Sequence, residues 1–538
     1  MLTLEDYVRE LVRIAAGAHL QRAVQSRTLD LPVDYFDREA MYDLLRRVTE
    51  GAGSRGPALI AEALQLLRTI PQVLTYAVAV ALVAPWLPVL LIPLTTLLTW
   101  QLMHGGGRMW AIETERTRER RLASYYAATL TSRSHAAEVR VFGLAGELLA
   151  RWRTCMTSYL TARLRMMLHN ATAGTASTAG FSAALAGSLM AISLTQHSID
   201  PGSAALVFTA ISGLIDGIVD GIAFPGRDFI EHAGYARDLR ALLEHTPSES
   251  ATPGCSASAM RPSARIHTPP AERRANQASF PHPLRRGIHF EDVSYQYPGS
   301  TEVALSNLSL EIKAGETIAV VGPNGAGKST FASLLLGLRR PTSGTLLADG
   351  INLAHVPLPE IRHHCAAVFQ EPLRLPATLE DNIAPGESAN RDDAEMARIL
   401  DAVDLRDLLL QSSLRDTNRL LGPEFGGTDL SGGQWQRLAI ARALFRKEVD
   451  LVVFDEPTAA LDALAEVALF ERFASLATGR TAVLISHRLG PTLLADRVIV
   501  IVGGKLMEQG KPANLAKSGG VFAQMFASQA EWCQRSRN

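Results

Sequence analysis

The nine residues Gly322–Thr330, GPNGAGKST, constrain this chain more than any other stretch. They follow the apolar run Thr317–Val321 and precede the apolar helical pattern Phe331–Leu338, so the stretch reads as strand, tight loop and helix, a P-loop. Gly322, Gly325 and Gly327 let the backbone wrap close to phosphate, with Pro323, Asn324 and Ala326 between them and Thr330 closing the motif. Amides at the helix start supply donors, Lys328 adds positive charge, and the Ser329 hydroxyl can ligate Mg²⁺. The plainer alternative is a glycine turn with no ligand, and the rest of the chain decides between the two.

From Ile288 onward short β-type runs give way to alternating helix and strand patterns, as an α/β fold requires. Leu451–Pro457, LVVFDEP, is a continuous apolar run ending in two acids. A buried parallel strand delivers carboxylates in this way to the carboxyl edge of a sheet, where a P-loop also lies. Asp455 can hold Mg²⁺ and Glu456 can orient and deprotonate an attacking water, although the pair taken alone also fits the end of a surface strand. LSGGQ, Leu430–Gln434, places Ser431, Gly432, Gly433 and Gln434 at the start of a second helical pattern, a second anion site. Two phosphate cradles about a hundred residues apart face each other only across a two-fold dimer, so each ATP is expected between the P-loop of one subunit and the LSGGQ of the other.

Composition matters because the apolar residues are unevenly spread: 47% of the 538 residues are hydrophobic, and the excess lies in the first 225. A chain of this length exceeds one domain. A net charge of −1 with no basic tail gives no sign of a nucleic-acid partner. Cys155, Cys255, Cys365 and Cys533 lack paired spacing, which argues against both a disulfide framework and a zinc site and fits a reducing compartment.

Met1–Arg55 is polar and helical in pattern, interrupted around Asp30, Pro32, Asp34, Phe36 and Asp37. Leu59–Val83 and Trp86–Met103 are apolar runs near the ~20-residue length of a bilayer span, and Ala171–Leu194 and Ala204–Phe224 form a second pair joined by TQHSIDPGS. Eleven arginines lie between the two pairs, the bias of a cytoplasmic loop. About four spans that start and end in the cytosol are therefore expected, a multi-pass helical bundle in the cytoplasmic membrane; a buried core helix is the alternative for each. Gly180, Ala184 and Ser188 would let another helix approach closely. Asp216 and Asp220, four apart, share a helix face and either line a translocation path or pair with arginine near the cytosolic end. The proline-rich stretch Glu244–Gly287 reads as a linker. The expected division is 1–243 transmembrane with cytoplasmic loops, 244–287 linker, and 288–538 an α/β P-loop domain with a helical subdomain.

Taken together, the motifs resemble those of ATP-binding cassette exporters with fused membrane and nucleotide-binding domains, a half-transporter. The resemblance is close over roughly Ile288–Phe526 and looser in the membrane half. It implies that Tyr297 in SYQYPG stacks on adenine and that Gln370 in AAVFQEP senses Mg²⁺, the γ-phosphate and the membrane domain. It further implies that Asp462 in PTAALD is the dimer-interface aspartate and His487 in LISHRL the switch histidine at the γ-phosphate. No nucleotide motif departs from the family's active form, so ATP hydrolysis is expected. LDLPVDYFDREAMYDLLRRV resembles the family's first cytoplasmic loop and EVRVFGLAGELLARW its second. The first-loop segment begins near Leu29, where two spans should already have passed, so the resemblance implies that the usual first helix and most of the second are missing. The implied partners are a second half-transporter, identical or different, the lipid bilayer, and an exported lipid, peptide or drug-like substrate. Two other classes stay open: a soluble cassette ATPase of DNA repair or translation, and an ATPase-competent remnant or regulatory subunit that does not itself transport.

Overall fold

The alternating acids and arginines of the first residues form α1 (Leu4–Asp30), which ends where Pro32 disfavours helical backbone in the residue before it. A 3₁₀ turn, Val33–Tyr35, separates it from α2 (Glu39–Ala52), in agreement with the interruption read from the sequence. The computed structural model describes residues 4–83, 100, 117–132, 135–195, 201–244, 278–385, 392–406, 420–422, 430–456 and 479–535. The chain divides into two compact units: Met1–Leu31 with Glu39–Pro253, and Pro32–Arg38 with Gly254–Asn538.

In the first unit α3 (Arg55–Val83) carries the first apolar run. Among the described residues Arg55–Leu82 is the stretch long and apolar enough to cross a bilayer, with a mean hydropathy of 1.2. The second run, Trp86–Met103, lies outside the described residues except at Trp100. Helices α4 (Thr117–Thr131) and α5 (Ala136–Val141) lead to α6 (Ala145–Thr195), whose 51 residues form one rod about 76 Å long. This single helix carries both the arginines from Arg151 to Arg165 and the third apolar run. The fourth run forms α7 (Pro201–Ile218) and passes through a π turn, Val219–Ala223, into α8 (Phe224–Glu244). Asp216 sits near the end of α7 and Asp220 in the π turn, both exposed within the unit.

A glycine stripe lets α7 and α3 approach closely. A Cβ at Gly213 would lie 2.6 Å from the Tyr76 ring, one at Gly217 2.7 Å from Val73 Cγ2, and one at Gly221 2.2 Å from Thr69 Cγ2. Small residues at four-residue spacing bring two backbones together in this way. The stripe expected on the third run, Gly180, Ala184 and Ser188, falls on side chains outside the described set.

Among its described residues the second unit has ten strands: β1 (Gly287–Gln296), β2 (Val303–Lys313), β3 (Thr317–Val321), β4 (Ser343–Ala348), β5 (Ile351–Asn352), β6 (Cys365–Val368), β7 (Leu451–Asp455), β8 (Thr481–Ile485), β9 (Arg497–Val502) and β10 (Lys505–Gly510). They form a four-stranded sheet in the order β2-β1-β4-β5 and a six-stranded sheet in the order β10-β9-β3-β8-β7-β6. The first is antiparallel throughout. The second is parallel from β9 to β6, with β10 turning back along its edge. Parallel strands are covered on both faces, which is why Ile318–Val321 and Leu451–Phe454 are buried without alternation. Helix α9 (Lys328–Leu335) ties the two sheets into one core, with Phe331 stacked on Phe290 of β1 at 5.0 Å. A second apolar cluster joins α12 (Asp393–Ala402) and α13 (Gly432–Phe445) through Leu400, Val403, Leu438 and Ile440, the helical subdomain. Between these in the chain lie the short α10 (Leu358–His363) and α11 (Leu379–Ile383), and the chain closes with α14 (Pro512–Leu515) and α15 (Val521–Arg535).

Pro32–Arg38 groups with this second unit because its acids are held there. Arg339 Nη1 donates to Asp34 and Asp37, and the Tyr295 hydroxyl donates to Asp34 at 3.0 Å.

Candidate nucleotide site

Strand order brings the separate motifs together. β3, β8, β7 and β6 are neighbours and parallel, so their carboxyl ends share one edge, where ligands bind in open α/β sheets. The P-loop leaves β3 at Gly322, Asp455 ends β7 with Glu456 next, Ser486 and His487 follow β8, and Gln370 lies two residues past β6. Residues from four stretches of sequence thus meet on one rim.

Two of the P-loop glycines, Gly322 and Gly327, have no room for side chains. Gly322, at φ 156°, would bring a Cβ to 2.0 Å from the Ile501 carbonyl, and Gly327, at φ 101°, to 2.6 Å from the Ala304 carbonyl. Lys328 starts α9, is 7% exposed, and donates from Nζ to the carbonyls of Gly322 and Pro323 at 2.9 Å. Burial pushes its pKa down, while Glu456 and Asp455 pull it back up. The ammonium is therefore held inside the loop by acceptors that phosphate oxygens can replace. Burial raises the Asp455 pKa and a hydrogen bond from the Ser329 hydroxyl lowers it; Glu456 adds to the rise and Lys328 opposes it. A hydroxyl and a carboxylate already in contact, both hard oxygen donors, suit Mg²⁺.

Glu456 has a left-handed backbone, φ 48°, unusual without glycine and costing of order 1–3 kcal/mol. Its amide donates to the Ile485 carbonyl at 3.0 Å, and its Oε1 lies 3.2 Å from His487 Nδ1. Adjacent strand ends therefore join the two residues that the family pattern assigns to water activation and γ-phosphate sensing. Ser431 caps α13 with a reciprocal pair: its Oγ accepts the Gln434 amide at 3.2 Å, and Gln434 Oε1 accepts the Ser431 amide at 2.8 Å. Gly432 and Gly433 open the helix, and Gln370 is exposed. Asp462 lies outside the described residues.

Tyr297 is not an isolated ring. Its hydroxyl pairs with the buried Thr330 hydroxyl at 3.0 Å, and the Arg339 guanidinium lies 4.7 Å over its ring. Sequence reading missed Arg339, one of two adjacent arginines with no spacing cue. It also missed Gln529 on α15, whose Nε2 donates to the His487 carbonyl and whose Oε1 accepts the Leu489 amide at 2.9 Å. These two bonds tie down the loop that carries His487.

The family profile described as "ABC transporter" matches residues 305–459, the span that runs from β2 through the P-loop to the acids after β7. This stretch of the chain is an ABC transporter domain. Over 535 residues it is 26% identical to the subtilin transport ATP-binding protein SpaT of Bacillus subtilis, covering 98% of this chain and 82% of that protein. It is 40% identical over 250 residues to an ATP-dependent lipid A-core flippase of Chromobacterium violaceum, 46% of this chain and 42% of that protein. With the mycobactin import ATP-binding/permease protein IrtB of Mycolicibacterium thermoresistibile it shares 39% over 249 residues, 46% of this chain and 42% of that protein. The match thus spans less than half the length of these last two relatives. The structure of a bacterial Atm1-family ABC exporter with ATP bound superposes with a TM-score of 0.81 at 24% identity, covering 98% of this chain and 87% of that one. The fold is that of an ABC exporter, a helical transmembrane region followed by an ATPase cassette.

Proposed function

We propose that the chain is one half of an ATP-driven exporter in the cytoplasmic membrane, working as a dimer with a second half-transporter, and that Glu456 is its catalytic base. The observation that carries this reading is the convergence of Lys328, Ser329, Asp455, Glu456 and His487 on one sheet edge, with Glu456 3.2 Å from His487. Ser329, Asp455 and Gln370 supply oxygen ligands for Mg²⁺, which when bound neutralises charge on the β- and γ-phosphates. Lys328 holds the phosphates after exchanging its two carbonyl acceptors for theirs. Glu456 takes the proton of the attacking water while His487 fixes the carboxylate's direction. Tyr297 offers adenine the ring face not covered by Arg339. Ser431 and the two glycines after it present amides to the partner's nucleotide, and the family resemblance assigns Asp462 to the dimer contact.

The relatives' names mention subtilin, a lipid A core and mycobactin, so they do not choose one substrate; it is a lipid, a peptide or a drug-like molecule.

Glu456→Gln tests the assignment. Removing a general base costs roughly 10²–10⁴-fold in turnover, while the phosphate cradle and the Mg²⁺ ligands remain. ATPase activity is expected to fall in that range with ATP binding retained. Turnover near wild type would overturn the role given to Glu456.

A further inference from the structure

A second cluster lies at the amino edge of the six-stranded sheet, the edge opposite the P-loop. Asp450 immediately precedes β7, His364 immediately precedes β6, and His282 lies in the segment leading into β1. The carboxylate Oδ2 of Asp450 is 2.6 Å from His282 Nδ1 and 3.6 Å from His364 Nδ1. One donor atom from each residue falls within 4.8 Å of the other two.

The cluster is built in layers. Asp450 is 8% exposed, and its other oxygen accepts the Leu284 amide at 2.9 Å, which turns Oδ2 toward both imidazoles. The His364 ring is stacked on Phe280 at 5.1 Å and on His282 at 4.6 Å. His364 is largely covered, whereas the His282 side chain is 38% exposed and leaves one side open to solvent. The Glu448 carbonyl accepts a hydrogen bond from His364 Nδ1 at 3.1 Å.

Without an ion His282 Nδ1 pairs with Asp450 and His364 Nδ1 donates to the Glu448 carbonyl, and an ion binding here would displace both protons. Two imidazoles and one carboxylate with an open side are the donor set of three-ligand sites for zinc-class ions. Mg²⁺ and Ca²⁺ instead take oxygen ligands. Donors around a tetrahedral ion with bonds of about 2.0–2.1 Å stand about 3.3 Å apart, and the observed separations of 2.6 and 3.6 Å bracket that spacing. We infer that His282, His364 and Asp450 bind one divalent transition-metal ion of the zinc class, pinning the segment that enters the cassette to the amino edge of its sheet.

The test uses the untagged full chain in detergent, freed of metal with a chelator and titrated with Co²⁺, whose ligand-field absorption reports nitrogen and oxygen coordination. Wild type is expected to bind one equivalent with a visible band that Zn²⁺ abolishes and excess Mg²⁺ does not. His364→Ala and, separately, the solvent-facing His282→Gln are expected to lose the band and to weaken Co²⁺ binding at least tenfold. Neither residue belongs to the nucleotide site, so ATPase activity measured with Mg²⁺ and without added transition metal serves as the folding control. His282→Gln, on an exposed side chain, keeps the test decisive if His364→Ala misfolds. Superimposable titrations of wild type and His282→Gln would overturn the inference and leave a His–Asp ion pair.

Discussion

Asp349 follows β4 with a left-handed backbone, φ 49°, and its carboxylate accepts three amides, from Arg285 at 2.8 Å, Arg286 at 2.7 Å and Gly287 at 2.8 Å. Burial acts to raise its pKa, but the three amides outweigh burial and hold the carboxyl below its ordinary value of 3.8. A depressed pKa contributes stability that is complete above the unfolded-state value and is lost as pH falls through the folded one. Asp349→Asn should therefore lower the thermal midpoint at pH 7, and the gap from wild type should close below about pH 4. A gap of constant size across that range in thermal unfolding would exclude the amide clamp as its source. Cys365 illustrates the opposite control: at 4% exposure its thiol is pushed up to about 12 by burial, against a lowering by Arg446. A neutral, covered thiol is a poor nucleophile, so peptide mass spectrometry after maleimide treatment should find Cys365 unlabelled in the native protein and labelled after denaturation.

Between elements, both close approach and charge set the contacts. The α3–α7 contact depends on Gly213, Gly217 and Gly221, whose missing side chains leave space for Tyr76, Val73 and Thr69. Overpacking a well-fitted contact costs typically about 1–3 kcal/mol, so Gly217→Val should lower the unfolding temperature in detergent by several degrees. An unchanged midpoint would show that the two helices separate at little cost. The loop Pro32–Arg38 is a second case. Its sequence announces a break between helices, yet its place is set by Arg339, which holds Asp34, Asp37 and the Tyr295 hydroxyl and also covers the Tyr297 ring. A segment resembling the first cytoplasmic loop thus reaches Tyr297 through one arginine.

For the whole molecule, the decisive prediction concerns the shared site. A mixed dimer pairing a Ser431→Arg subunit with a Lys328→Ala subunit has one composite site lacking both elements and one intact. Homodimers of either variant should be inactive, and the purified mixed dimer should have up to about half the wild-type ATPase if the sites act independently. Complete loss on mixing would mean that the sites are coupled, and turnover by an isolated monomer would overturn the sandwich.

The sequence by itself determined the pieces whose geometry is local. GPNGAGKST specifies its loop because positive φ and the absence of Cβ are properties of the glycines themselves. LVVFDEP specifies a buried strand with acids at its end because burial on both faces demands an unbroken apolar run. The capping pair Ser431 and Gln434 follows from a three-residue spacing. What the tertiary structure alone decided is which of these pieces face one another. The order β3-β8-β7-β6 places His487 beside Glu456, Gln529 reaches the His487 loop from 42 residues away, and His282, His364 and Asp450 meet at the far edge. Such meetings have no sequence period: they arise when strands and helices cover one another's apolar faces, and the energy of that burial is a property of the assembled core rather than of any single stretch.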